Sequence, residues 1–171
     1  MDLTTITTYF TEYGAIAIFT IVLLEYLNLP GFPAGIIMPL SGIMAARGNI
    51  HFAWVMVITV AAGLTGSLLL YILGRKGGEF FLTSYLKRFP KQRETMERNL
   101  EWIRQKGCIG VFLAKLLPMI RTIVSIPAGV LKLDLKKYIL SSTLGIFLWN
   151  LVFVGAGYLL GDQVFTILGQ I

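Results

Sequence analysis

Four ionisable side chains stand where the chain is otherwise apolar or broken: Glu25, Lys115, Arg121 and, at the edge of an apolar run, Arg75. A charge at the centre of a bilayer costs at least about 2.5–3.5 kcal/mol on insertion scales, so each calls for a partner or a task. The planar guanidinium of Arg121 matches phosphate oxygens in a bidentate way. Lys115 adds a second, compact positive charge, and Thr122 and Ser125 bring hydroxyls that can bond the same oxygens. Backbone N–H groups at the start of a short helix favour an anion as well. Glu25 is either a counter-ion that locks to the two cations or a carrier of protons, and both readings stay open at this stage.

Other chemistries find little support. There is one histidine and one cysteine, so a His/Cys metal cluster cannot be built. No Ser/His/Asp or Cys/His arrangement is at hand for nucleophilic attack. We expect no catalytic residues, no metal, no cofactor and no enzyme activity. Gly74-Arg75-Lys76-Gly77-Gly78 lacks the spacing and the strand–loop–helix setting of a phosphate loop. His51 reads as an interfacial residue and Cys108 as a small packing residue. Trp54, Trp102 and Trp149 read as interface or packing aromatics.

The elements that must carry these residues are membrane elements. Hydrophobic residues make up 56% of the 171, and charged residues 14%, against about 25% in soluble domains. Mean hydropathy is +0.74. Residues 52–73 and 138–161 are free of charge, and each exceeds the roughly 20 residues that a crossing helix needs. Small residues recur in both, which lets helices approach closely in lipid. Residues 13–46 are different: the run is interrupted by Pro30-Gly31-Phe32-Pro33, then by Gly35 and Pro39. Residues 107–131 are broken at Pro118 and again at Pro127-Ala128-Gly129. Proline removes a donor and clashes with the preceding turn. The pieces on either side are too short to cross, and irregular backbone in a membrane is tolerated when buried in protein or lining a wet cavity. Both regions are predicted to be re-entrant hairpins, 13–46 and 107–131. The fold class is therefore an all-α integral membrane protein in a single domain, residues 1–171: hairpin plus crossing helix, twice, as an inverted repeat.

Charge fixes the orientation. Nine of the 15 Lys and Arg lie in residues 75–106, against four acids, so that segment is predicted to be cytoplasmic. A net charge of +6 thus reads as topology, with no nucleic acid as partner. Residues 79–106 read as an amphipathic helix around a turn at Phe89-Pro90, with Phe80, Phe81, Tyr85, Leu100, Trp102 and Ile103 suited to the headgroup zone. Residues 1–12 carry no Lys or Arg, unlike the start of a secretory signal, and the chain is read as mature.

These motifs resemble the DedA family, also called the SNARE-associated or VTT-domain family. Glu25, the Pro/Gly break, Ser41-Gly42, Ala45 and Gly48 are similar to that family's E…P…PG…AG…A..G pattern. Gly66 with Tyr71, Gly74, Arg75 and Gly78 resembles its GD…Y..GR..G segment. Gly110 to Thr122 resembles its G..F..R..P..R signature, continued by Pro127-Ala128-Gly129, Tyr138, Gly145 and Trp149. The resemblance implies a bacterial inner-membrane protein that moves a phosphate-bearing lipid between leaflets, such as undecaprenyl phosphate or phosphatidylethanolamine, as a flippase or scramblase. Glu25 matches the family's first acid and Arg121 its second arginine. Lys115 stands where the first arginine is usual, Ser67 replaces the aspartate after Gly66, and no second acid lies near Ala34-Gly35. Protons and a second copy of the chain are further candidate partners. A proton-coupled transporter of a small solute is the alternative; an enzyme acting on lipid phosphate is the weakest.

Overall fold

A computed structural model describes residues 3–27, 37–47, 50–88, 93–118 and 120–168, and among these no strand occurs. The elements are α1 (Leu3–Tyr26), α2 (Ile37–Ala46), α3 (Phe52–Arg88), α4 (Arg93–Lys115), α5 (Ile120–Ile123), α6 (Ser125–Val130) and α7 (Leu135–Leu168). Two stretches, Phe52–Gly78 of α3 and Leu135–Gly161 of α7, are long and apolar enough to cross a membrane. They contain the two spans expected from sequence. The apolar helix Ile37–Ala46 and the α5–α6 stretch Ile120–Val130 are shorter.

Local sequence explains the ends. His51 begins α3: its carbonyl accepts from Trp54 and Val55, and its Nδ1 accepts the Ala53 N–H at 3.3 Å. Asp134 begins α7 by accepting the Lys137 N–H at 2.9 Å, a side-chain cap of the usual kind. Pro118 ends the helical run after Lys115, as expected. Pro39 does not break anything. It is the third residue of α2, where its missing N–H would have been an orphan in any case. Gly78 and Gly107 hold φ of 51° and 56° and bend α3 and α4 where only glycine sits without strain. The Pro30–Pro33 break and the Phe89-Pro90 turn lie outside the described residues.

The chain divides into two compact units, one of residues 1–25, 29–63 and 147–171, the other of residues 26–28 and 64–146. In the second, α5 and α6 fold back against α4. Its core gathers Tyr71, Ile103, Val111, Ala114, Val124, Ala128 and Tyr138. Ile103 is therefore a core residue, 1% exposed, and not a headgroup-zone residue. Trp102 is turned back by a bond from its indole N–H to the Gly110 carbonyl, while Phe80 is exposed.

Each unit contains the same helix crossing. In the second unit Gly129 of α6 abuts the Tyr71 carbonyl and Arg75 N–H of α3, and Gly74 of α3 abuts the Ile126 carbonyl. In the first unit Gly42 of α2 abuts the Val154 carbonyl and Tyr158 N–H of α7, and Gly157 of α7 abuts the Pro39 carbonyl. The α7 residues stand 83 positions after their α3 counterparts, and the α6 residues 87 after those of α2. Without a side chain on either glycine, the backbones meet directly.

Polarity is reversed from that of a soluble domain. Trp54, Val57, Leu140, Val152 and Leu159 are exposed on the two long helices. Lys115, Arg121, Ser67, Ser125 and Asn150 are buried. Charge inside and hydrocarbon outside is stable only when the surroundings are themselves hydrocarbon. The protein is a membrane protein.

Candidate functional site

The cations expected to carry chemistry lie together in the second unit. Lys115 closes α4 and is 1% exposed. Its Nζ donates three hydrogen bonds, to Ser67 Oγ at 2.8 Å, Ser125 Oγ at 3.0 Å and the Arg121 carbonyl at 2.7 Å. An ammonium has three donors, and here all three meet neutral oxygens. Its stem passes over Gly145 of α7, where a Cβ would come within 2.5 Å of the Lys115 Cβ. Lys115 thus ties the span α3 to both ends of the α5–α6 turn. Its contacts fix where Arg121 begins.

Arg121 follows the break as the second residue of α5 and is 2% exposed. Its guanidinium donates to Tyr26 Oη at 2.9 Å and lies over the Tyr26 ring, 4.7 Å from the centroid. The Lys115 ammonium approaches the same ring at 5.6 Å. An aromatic face attracts cations, more so when they are desolvated. Thr122 and Ser125 are buried on α5 and α6, Ser125 as a Lys115 partner. Tyr138 completes the setting, donating from its hydroxyl to the Ser67 carbonyl at 3.0 Å.

The expected residues also include Arg75 and Glu25. Arg75 is exposed, and its bonds run to Tyr71 Oη at 2.7 Å and the Leu133 carbonyl at 3.4 Å. Glu25 is buried, 5% exposed, at the end of α1 in the first unit. Tyr26 and Ser67 were not among the residues expected at the site. A tyrosine in an apolar run shows no expense in the sequence. Its one signal is its place directly after Glu25. Ser67 was visible as a departure from the family pattern, and so was Lys115; the structure brings the two departures into contact.

The ring and hydroxyl of Tyr26 make separable contributions. Tyr26→Phe keeps the ring under the guanidinium and removes one acceptor from a charged donor, a loss of about 1.5–3 kcal/mol. Tyr26→Leu removes the ring as well. We expect thermal unfolding in detergent to fall in the order wild type, Tyr26→Phe, Tyr26→Leu. Equal melting of Tyr26→Phe and wild type would show that the hydroxyl bond contributes nothing.

A family model described as the VTT domain matches residues 32–159. The chain belongs to the VTT-domain family. This is the DedA-type resemblance that the motifs carry. The VTT-domain chain is 30% identical over 131 residues to "Undecaprenyl phosphate transporter A" of Bacillus subtilis (strain 168), covering 77% of this chain and 66% of that protein. It is 29% identical over 162 residues to the protein of the same name from Staphylococcus aureus (strain NCTC 8325 / PS 47), covering 92% of this chain and 79% of that protein. It is 25% identical over 157 residues to the "Alkaline phosphatase-like protein" of Lactococcus lactis subsp. cremoris (strain MG1363), covering 89% and 73%. No solved structure matches the VTT-domain chain.

Proposed function

We propose that this VTT-domain protein moves a phosphate-bearing lipid between the leaflets of a bacterial inner membrane, without covalent chemistry. The observation that carries the reading is the buried pair Lys115 and Arg121 at a break in the helices of a membrane protein. Arg121 binds the phosphate, Lys115 positions Arg121 through its carbonyl and adds field, and Thr122 and Ser125 line the same turn. The lipid tail stays in hydrocarbon, so only the headgroup is transferred. Two relatives named for undecaprenyl phosphate transport support this substrate class.

In the same reading, residues 13–46 and 107–131 are re-entrant hairpins of an inverted repeat, and exchange alternates between them. The constant offsets of the two glycine crossings support a repeat. Residues 75–106 are cytoplasmic, where Arg75 holds the end of α3. Arg75 stands at the site's edge, where its charge can meet a headgroup as it arrives. The Lys115–Ser67 contact favours facilitated exchange over proton coupling, because a hydroxyl stands where a titrating carboxylate would be needed.

The test is leaflet exchange in reconstituted vesicles with labelled undecaprenyl phosphate, phosphatidylethanolamine and a neutral diacylglycerol. We expect exchange of the phosphate-bearing lipids and none of the diacylglycerol, at a rate unchanged when the proton gradient is collapsed. Equal exchange of all three would refute phosphate recognition. Loss of exchange on collapsing the gradient would favour the proton-coupled reading.

A further inference from the structure

In the first unit Asn150 is fully buried, and its Oδ1 and Nδ2 have no hydrogen-bond partner among the described residues. An unpaired amide is expensive in an apolar interior, and lipid offers it nothing. Its position is informative. Asn150 lies fifteen residues past the start of the span Leu135–Gly161. Ser67 lies fifteen residues past the start of the span Phe52–Gly78. The separation of the two is the same 83 positions that relates Gly157 to Gly74 and Val154 to Tyr71 in the glycine crossings. Asn150 is therefore the first unit's equivalent of Ser67. In the second unit that position is a polar anchor, accepting from Lys115 at 2.8 Å. In the first unit it carries a side chain with both donor and acceptor capacity.

We propose that Asn150 is the binding residue of a second polar subsite, one that takes a monoprotonated phosphate monoester. The match is chemical. Nδ2 donates to a phosphate oxygen, and Oδ1 accepts from the single P–OH. An ammonium group could satisfy Oδ1 alone, leaving the donor unpaired. A neutral amide also binds without the permanent cost of a buried charge, so it can release what it holds. The subsite rests on the lipid-phosphate reading above and extends it: the headgroup has a cationic station in one unit and an amide station in the other. The polar side chain is thus retained at the expense of stability, as binding sites require.

The experiment uses the full chain in detergent, as wild type, Asn150→Leu and Arg121→Ala, and reads thermal unfolding with dodecyl phosphate, inorganic phosphate or dodecanol. We expect dodecyl phosphate to raise the melting temperature of wild type, and dodecanol to leave it unchanged. In Asn150→Leu the midpoint concentration for that rise should increase about tenfold, the loss of a hydrogen bond to a charged group. Its melting temperature without ligand should be no lower than that of wild type, because leucine removes the unpaired groups. An equal rise with inorganic phosphate would make free phosphate the ligand in place of the lipid. A ligand-free melting temperature below wild type would make Asn150 a structural residue and overturn the subsite. A full dodecyl phosphate response in Asn150→Leu, with the response lost in Arg121→Ala, would overturn the subsite alone. Absence of any response in wild type would overturn it together with the lipid-phosphate reading.

Discussion

Arg121→Ala is expected to abolish leaflet exchange in vesicles while the protein still inserts and purifies. A bidentate phosphate contact is two charge-assisted hydrogen bonds, together about 3–6 kcal/mol, so the rate should fall by at least about 100-fold. Arg121→Lys keeps the charge and loses the fork, and should recover part of the rate. The stability effect runs differently. Alanine removes a desolvated cation, which relieves a cost, but it also loses the bond to Tyr26 Oη and leaves a cavity against the Tyr26 ring, which add to it. Those terms oppose each other, so transport should collapse well before folding does. Wild-type exchange in Arg121→Ala would place the phosphate contact elsewhere.

The second large effect concerns assembly. A methyl group on Gly42 would sit 2.0 Å from the Val154 carbonyl oxygen, and one on Gly129 would sit 2.1 Å from that of Tyr71. Both obstacles are backbone of a packed helix, so no side chain can rotate away. Overpacking costs about 1–3 kcal/mol when neighbours can yield. At these two sites the helices must separate, and we expect about 3 kcal/mol or more, or about 6–12 °C in melting temperature. Gly155→Ala is the control. Nothing lies within 4 Å of its added methyl, so it should stabilise α7 by about 0.5–1 kcal/mol. Equal melting of Gly42→Ala and Gly155→Ala would mean that the crossing carries no packing energy.

What the sequence disclosed follows from cost. Lys115 and Arg121 could be read because charge in an apolar run is expensive, and the two long helices because length and hydropathy are additive along the chain. Pro118 marked a real break, since it follows the end of α4. Pro39 looked the same and was harmless, because its effect depends on distance from the helix start. Ile103 looked interfacial because its neighbours are charged, whereas the bend at Gly107 lets α4 turn it into the core. Tyr26, Ser67 and Asn150 were opaque for another reason. Each is cheap by composition, and its meaning comes from a partner far along the chain, or from the lack of one. The repeat of the glycine crossings was hidden too, since single glycines are common and only contact reveals which two belong together.

The hydroxyl cradle of Lys115 has a consequence for the lipid exchange proposed above. Serine and carbonyl oxygens solvate an ammonium without cancelling it, so its monopole persists into the surrounding hydrocarbon, where dielectric screening is weak. A headgroup of net negative charge is drawn toward that potential, while a zwitterion contributes opposing pulls that nearly balance. In the proposed lipid exchange, sorting of bilayer components by their overall valence would therefore begin before any of them touches the protein.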